Sequence, residues 1–289
     1  MALRLTTGTP GGGFHPLGDA LAAAYRKGLP SVDVSVRESA GSIANVEAIQ
    51  AREADAGFAF ADVAYAAYAG RLAGRSRRFD ELRGIAVLQL TPLHLVAGPA
   101  SGIHSVASLR GRRVAVGLSG SGSALTADLV MRSFGLDPTA VHLQSLAYND
   151  AAAALLRGTV DAMFVVGSVP LESVTSALRG GAGLVAIDGA AIDGLRRRYP
   201  FFRRTIIADG AYAGSPSEAT IGVENILVCS RQLDESVVYA MTRQLFESLP
   251  ALAMRFPSLR TLDLEGSPAT PIPLHDGAAR YYRERELAR

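Results

Sequence analysis

TTGTPGGGFHPLG, residues Thr6 to Gly18, decides how the rest of the chain is read. Before it, Ala2-Leu3-Arg4-Leu5 alternates apolar and polar residues and predicts a strand. After it, Leu17, Leu21 and Tyr25 recur four residues apart and predict the apolar face of a helix. Four glycines and the hydroxyls of Thr7 and Thr9 lie between. Glycine lets a backbone approach a ligand closely. The helix start beyond it offers unpaired N–H groups and a positive dipole end. The stretch therefore reads in two ways, as a cradle for a small ligand or as a plain turn, and on its own it favours neither. It is not a nucleotide loop. Pro16 stands where the last glycine of G-x-G-x-x-G would fall, and the single lysine, Lys27, cannot complete G-x-x-x-x-G-K-[ST].

The same pattern recurs downstream. Ser31 to Arg37 alternates valine with polar residues and reads as a second strand. Ser42 is expected to cap a helix that carries Ile43, Val46 and Ile49. Gly57 to Ala61 reads as a third strand, with Asp62 capping the helix after it. Such alternation implies an α/β domain with a parallel sheet covered on both faces. The loops after its strands gather at one edge, where such folds bind ligands.

Ile85 to Leu90 and Leu93 to Gly98 read as two strands broken at Pro92, where the chain is expected to cross into a second domain. A second series follows. It has a strand at Arg113 to Gly117, a glycine-hydroxyl loop at Leu118 to Ser123, and a helix carrying Leu125, Leu129 and Phe134. A strand at Val141 to Leu146, a helix capped at Asn149-Asp150 and a buried strand at Ala162 to Val166 come next. Arg196 to Pro216 reads as loop, Ile221 to Ser230 as a long strand, and Asp234 to Leu249 as an amphipathic helix. The domain expectation is one discontinuous lobe, 1–92 with 231–289, and a second lobe, 93–230.

Composition excludes several function classes. The chain has 289 residues, a net charge of +2 and no tryptophan, and its arginine runs at 75–78 and 196–198 are short, so no nucleic-acid footprint is expected. Cys229 is the only cysteine, which rules out an intrachain disulfide or a cysteine zinc cluster. No two of the five histidines have H-x-x-x-H spacing, so neither a metal nor a cofactor is signalled. Ser119 has Gly117 before it but Ser121 after it, which fails G-x-S-x-G, and no nucleophile–base pair suggests an enzyme. What remains is neutral donors. Ser119, Ser121 and Ser123 precede a helix start, a setting that holds an anion without a full counter-charge. A helix cap alone would need only one of these hydroxyls.

These stretches together resemble a known family. TGTPGGGFHPLG at Thr7 to Gly18 is similar to the TGGTGGTYYPLG signature of the TAXI family, the extracytoplasmic solute receptors of a subclass of TRAP transporters. SAGSIAN at Ser39 to Asn45 is similar to that family's TGGSVEN, and GRRVAVGLSGSGS at Gly111 to Ser123 to its GKRVSVGAPGSGT. The stretches Ala54 to Gly70, Asp161 to Pro170, Gly210 to Gly214 and Leu274 to Glu284 also match, in order, over nearly the whole chain. Phe14-His15 stands where the family has Tyr-Tyr, and Ser39-Ala40 where it has Thr-Gly.

The resemblance implies an α/β type II periplasmic-binding-protein fold, with two lobes, a hinge and an interlobe cleft. It implies a monomeric, non-enzymatic receptor that captures a small carboxylate, either an amino acid such as glutamate or a dicarboxylate. The receptor would deliver that anionic solute to a membrane-embedded TRAP permease. A sensory module of the same fold is the alternative. Such receptors are exported, so a periplasmic location is implied, with the leader missing from this chain. The ligand contacts carried over are Gly13, Phe14 and His15, then Ser39 and Ser42, then Ser119, Ser121 and Ser123, and finally Tyr212.

Overall fold

The structure is a computed structural model that describes residues 1–10 and 12–287. Gly11, inside the opening stretch, lies outside the described residues. The chain forms two compact units. The first comprises Met1–Pro10, Phe14–Leu90 and Glu224–Arg289, and the second Gly11–Gly13 and Thr91–Val223.

The first unit opens with β1 (Ala2–Thr6), α1 (Phe14–Gly28), β2 (Asp33–Arg37), α2 (Ser42–Gln50), β3 (Ala56–Phe60) and α3 (Ala61–Tyr68). β1 lies between β2 and β3 and is parallel to both, with Leu3 opposite Val34 and Leu5 opposite Ala56. Leu3, Leu5 and Phe58 of these strands are fully buried. α1 covers them with Leu17, Leu21 and Tyr25, the face its four-residue spacing predicts.

β4 (Leu82–Ala97) then leads into the second unit, made of β5 (Arg113–Ala115), α4 (Gly122–Ser133), β6 (His142–Gln144), α5 (Tyr148–Leu156) and β7 (Ala162–Val166). β5 is parallel to both β6 and β7. This is the β1-to-β3 arrangement repeated. One device recurs in both copies. The Arg4 guanidinium donates to Asp55, just before β3, and to the Arg52 carbonyl at 2.9 Å. The Arg113 guanidinium donates to Asp161, just before β7, and to the Gly158 carbonyl at 2.7 Å. Each aspartate also accepts the backbone N–H of its arginine, at 2.7 and 2.8 Å. Both carboxyls are held below the usual range: by the arginine bonds, which outweigh burial, for Asp55, and chiefly by the Arg113 bond for Asp161.

The second unit continues through α6 (Glu172–Arg179), β8 (Gly183–Val185), α7 (Ala190–Arg198) and β9 (Phe202–Ile207). β10 (Glu218–Ser230) re-enters the first unit, which closes with α8 (Glu235–Glu247), α9 (Leu249–Arg255) and α10 (Asp276–Leu287).

The two copies share one more feature. Beside β3 runs the second half of β10, antiparallel, with Asn225 opposite Phe60 and Cys229 opposite Ala56. Beside β7 runs the second half of β4, antiparallel, with Leu93 opposite Val166 and Ala97 opposite Ala162. The registers correspond residue for residue.

Two sequence expectations are corrected. Pro92 does not break a strand, because β4 runs unbroken from Leu82 to Ala97. It lies just before the β7 ladder, which begins at Leu93, and its carbonyl still accepts from Gly167. The stretch 196–216 is not all loop but contains β9, paired antiparallel to β10 from Phe202 to Ile207. Exposed Arg203 and Arg204 hide that strand's alternation, and Arg204 is drawn outward to Asp193. On the return path the first unit resumes at Glu224, inside β10. The first half of that strand pairs with β9 and the second half with β3.

Candidate functional site

In the first unit the loop after β1 is held by a residue outside it. Asn45, on the inner face of α2, is fully buried. Its Nδ2 donates to the carbonyls of Thr7 at 2.6 Å and Phe58 at 2.8 Å. Its Oδ1 accepts from Thr6 Oγ1 at 2.7 Å and lies 2.6 Å from Ser39 Oγ. One side chain therefore ties the ends of β1, β2 and β3 together. Ser39 Oγ also accepts the Gly41 N–H at 2.9 Å and lies 3.2 Å from the Thr7 carbonyl, so its hydroxyl belongs to this brace. Ser42 is not a helix cap. Gly41 holds that position with φ 120°, a left-handed value that suits glycine, and has no side chain to cap with. The buried Ser42 hydroxyl instead accepts the N–H of Phe60 at 3.0 Å, where β3 ends. Asp62 likewise lies one residue inside α3 instead of capping it, and its Oδ1 accepts the N–H of Val63 at 2.8 Å.

Phe14 opens α1 and is buried, its ring 5.5 Å from that of Phe58 and 5.1 Å from that of Phe60. His15 is half-buried, with Nε2 3.7 Å from Asp19 and Nδ1 4.0 Å from Glu38. Gly13, which belongs with the second unit, faces open space, since an added Cβ would meet nothing within 4 Å.

In the second unit the three serines have three different tasks. Ser121 caps α4, its Oγ accepting the Ala124 N–H at 3.3 Å. Gly117 makes that cap possible. It has φ 92°, and a Cβ there would lie 2.8 Å from the Ser121 Oγ. Ser123 is buried and bonded to the Tyr148 hydroxyl. Tyr148 spends its own proton on the Val166 carbonyl at 3.1 Å, so the Ser123 hydroxyl is the donor between them. Ser119 is exposed, and its N–H donates to Ser145 Oγ at 2.7 Å. The donors that can face a ligand are therefore the Ser119 and Ser121 hydroxyls, together with the N–H groups of Gly122 and Ser123 in the open first turn of α4. Asn149 and Asp150 do not cap α5, which begins at Tyr148 after Ala147.

Tyr212 lies in the apolar interior of the second unit. Its hydroxyl is 2.9 Å from His94 Nε2 and accepts the Leu171 N–H at 3.2 Å. His94 Nδ1 lies 3.3 Å from the Val165 carbonyl and must donate there, which leaves Nε2 to accept the tyrosine proton. Burial pushes His94 down to about 4 and Tyr212 up to about 12. The tyrosine is thus a buried cross-brace with its hydroxyl committed.

Sequence reasoning missed Asn45, Tyr148 and His94. Only Asn45 carried a signal. It shares the inner face of α2 with Ser42, Val46 and Ile49 at helical spacing, and an amide on an apolar face requires partners. Tyr148 and His94 meet their partners across long stretches of chain.

Known proteins of this fold bear on these loops. MatC from Rhodopseudomonas palustris, solved with bound malate, superimposes with a TM-score of 0.63 at 16% identity, covering 99% of this chain and 97% of that one. The periplasmic binding protein BugD gives 0.60 at 14% identity, with 99% and 97% covered. The alkanesulfonate-binding protein SsuA from Xanthomonas axonopodis pv. citri, bound to MOPS, gives 0.52 at 17% identity, with 98% and 83% covered. At such identities the likeness shows the fold, that of periplasmic solute-binding proteins. Among the described residues no helix is long and apolar enough to cross a membrane. The model of one family matches residues 5–285, and the chain belongs to that family, the NMT1-like family.

Proposed function

We propose that this protein is a non-enzymatic, extracytoplasmic solute receptor. It captures a small carboxylate and hands it to a membrane-embedded permease of the TRAP type, as the TAXI resemblance implies. The observation that carries the reading is the loop from Gly117 to Ser123. It presents the exposed Ser119, the Ser121 hydroxyl and the first N–H groups of α4 together, with no arginine or lysine within it. Partial charges at a helix start stabilise an anion without a salt bridge. Arg37, the charged residue that ends β2, reaches toward Glu53 at 3.9 Å. MatC, which shares the fold, was solved with a dicarboxylate. In the first unit Phe14 and His15 at the start of α1, beside the brace that holds Ser39 and the strand end that holds Ser42, supply shape more than charge.

The test begins with mass spectrometry of small acids released from purified protein by denaturation, followed by titration calorimetry with the acid found. Ser121→Asp keeps a good helix cap while placing a negative charge at the loop. Binding is expected to weaken at least about tenfold, or 1.4 kcal/mol, with an unchanged melting temperature. A Ser121→Asp protein that melts normally and binds the acid as wild type does would show that the anion is held elsewhere.

A further inference from the structure

The two units repeat one architecture, and the repeat exposes a residue that the fold does not require. Leu93 faces Val166 in the second unit, in the strand beside β7. At the corresponding register of the first unit, in the strand beside β3, Asn225 faces Phe60. Leu93 is fully buried, so the architecture accepts a branched apolar side chain at that register. Asn225 is almost as deeply buried, at 4% exposure, and its Oδ1 has no hydrogen-bond partner. A buried acceptor left without a donor is destabilising, and native proteins rarely keep one without a use.

Its surroundings indicate the use. Residues directly opposite on antiparallel strands project from the same face. Asn225 therefore shares the face of Phe60, whose ring contacts that of Phe14 at the start of α1. Phe60 is the last residue of β3, so Asn225 sits at the C-terminal edge of the parallel strands, level with the Ser42 hydroxyl that accepts the Phe60 N–H. Ligands of α/β sheets bind at that edge. Phe60, directly opposite, has no donor to offer the Asn225 oxygen.

We propose that Asn225 is a specificity-determining residue. Its carboxamide oxygen accepts a hydrogen bond from an ammonium or hydroxyl group on the solute, so the protein selects amino or hydroxy carboxylic acids over simple ones. This rests on the carboxylate reading above.

The experiment uses two pairs of probes, L-glutamate with glutarate and L-malate with succinate, each pair differing in one donor group. Wild-type protein is expected to bind one donor-bearing member at least about tenfold more tightly than its partner, because a site with an unmet acceptor gains a bond only with a donor. Asn225→Leu, which copies Leu93, should erase that preference by weakening the donor-bearing acid and leaving the plain acid within about twofold. It should also melt at or above the wild-type temperature, since it removes an unsatisfied buried group. Asn225→Ala, which cannot overfill the position, should show the same split in binding. A preference for glutamate identifies an ammonium as the donor, and a preference for malate a hydroxyl. Equal weakening of both members of a pair, or unchanged binding of all probes, would overturn the inference while leaving the receptor reading intact. A wild-type protein that binds none of the four overturns the carboxylate reading and this inference with it.

Discussion

At the scale of single residues, the second unit holds a histidine in the wrong state for acid. His94 is fully buried and accepts a hydrogen bond from the Tyr212 hydroxyl through Nε2, so it must remain neutral. Its folded value of about 4 lies below its ordinary 6.5. Between those values the unfolded chain holds the proton and the folded chain does not, so stability rises with pH. The contribution is complete above pH 6.5 and is lost as pH falls toward 4, by roughly 3 kcal/mol in all. No charged side chain is available within this brace to stabilise an imidazolium, since the partners are a phenol and backbone groups. His94→Asn is expected to be less stable at pH 7.5 but flatter across the acid window. Urea unfolding at several pH values for both proteins gives the difference between the two slopes. Parallel slopes would mean that His94 does not titrate with folding.

At the scale of elements, the glycine-rich stretch is a packing device before it is a ligand cradle. Gly18 of α1 lies against the residue that follows β1 and against β3: an added Cβ would fall 2.1 Å from Thr7 Cγ2 and 3.3 Å from Phe58. Thr7 cannot easily turn away, because it is fully buried and its hydroxyl donates to the Arg37 carbonyl. Gly18→Ala is expected to cost roughly 1–3 kcal/mol despite the better helix propensity of alanine. Gly13→Ala, with open space around it, should stay within about 0.5 kcal/mol. Chemical denaturation of the two variants separates a strut from a surface position, and equal losses would contradict this packing account. These elements also show what the sequence makes legible. α1, β3, β7 and the loop before α4 could be read because their signals are local, in the spacing of Leu17, Leu21 and Tyr25 or the apolar run Ala162 to Val166. β9 could not, because two consecutive exposed arginines, one of them paired with Asp193, interrupt the alternation of a half-buried strand. The three serines could be located but not told apart. The task of Ser123 is set by Tyr148, in a different helix, and that of Ser39 by Asn45. The unmet oxygen of Asn225 depends on strand register, which no local pattern encodes.

At the scale of the whole molecule, the two units differ in how they are assembled from the chain. Apart from Gly11–Gly13, the second is one continuous segment, Thr91–Val223. Its apolar cluster runs from Val96 and Ala115 through Met163 and Val165 to Tyr212, all within that segment. The Arg113–Asp161 clamp and the His94–Tyr212 brace are internal to it as well. The first unit is discontinuous. Without residues 224–289, β3 would lose its antiparallel partner from Asn225 to Cys229, leaving a bare edge. The Tyr282 hydroxyl would no longer reach the Ile85 carbonyl, and the Val87 N–H would lose the Ser267 carbonyl. Fully buried Met241 and Tyr281 would leave the core, at about 1.5–3 kcal/mol for each large side chain. Domains are only marginally stable, so losses of this size are not survivable. A fragment of residues 91–223 is therefore expected to fold alone and melt cooperatively by circular dichroism, while a fragment of residues 1–90 should show neither a cooperative melt nor amide protection from exchange. Adding residues 224–289 back through a short flexible linker, joined to the end of the 1–90 fragment, should restore the melt, because both missing strand and missing helices return together. A cooperative transition in 1–90 by itself, or its absence in 91–223, would mean that the units depend on each other in the opposite sense to the one their chain paths dictate.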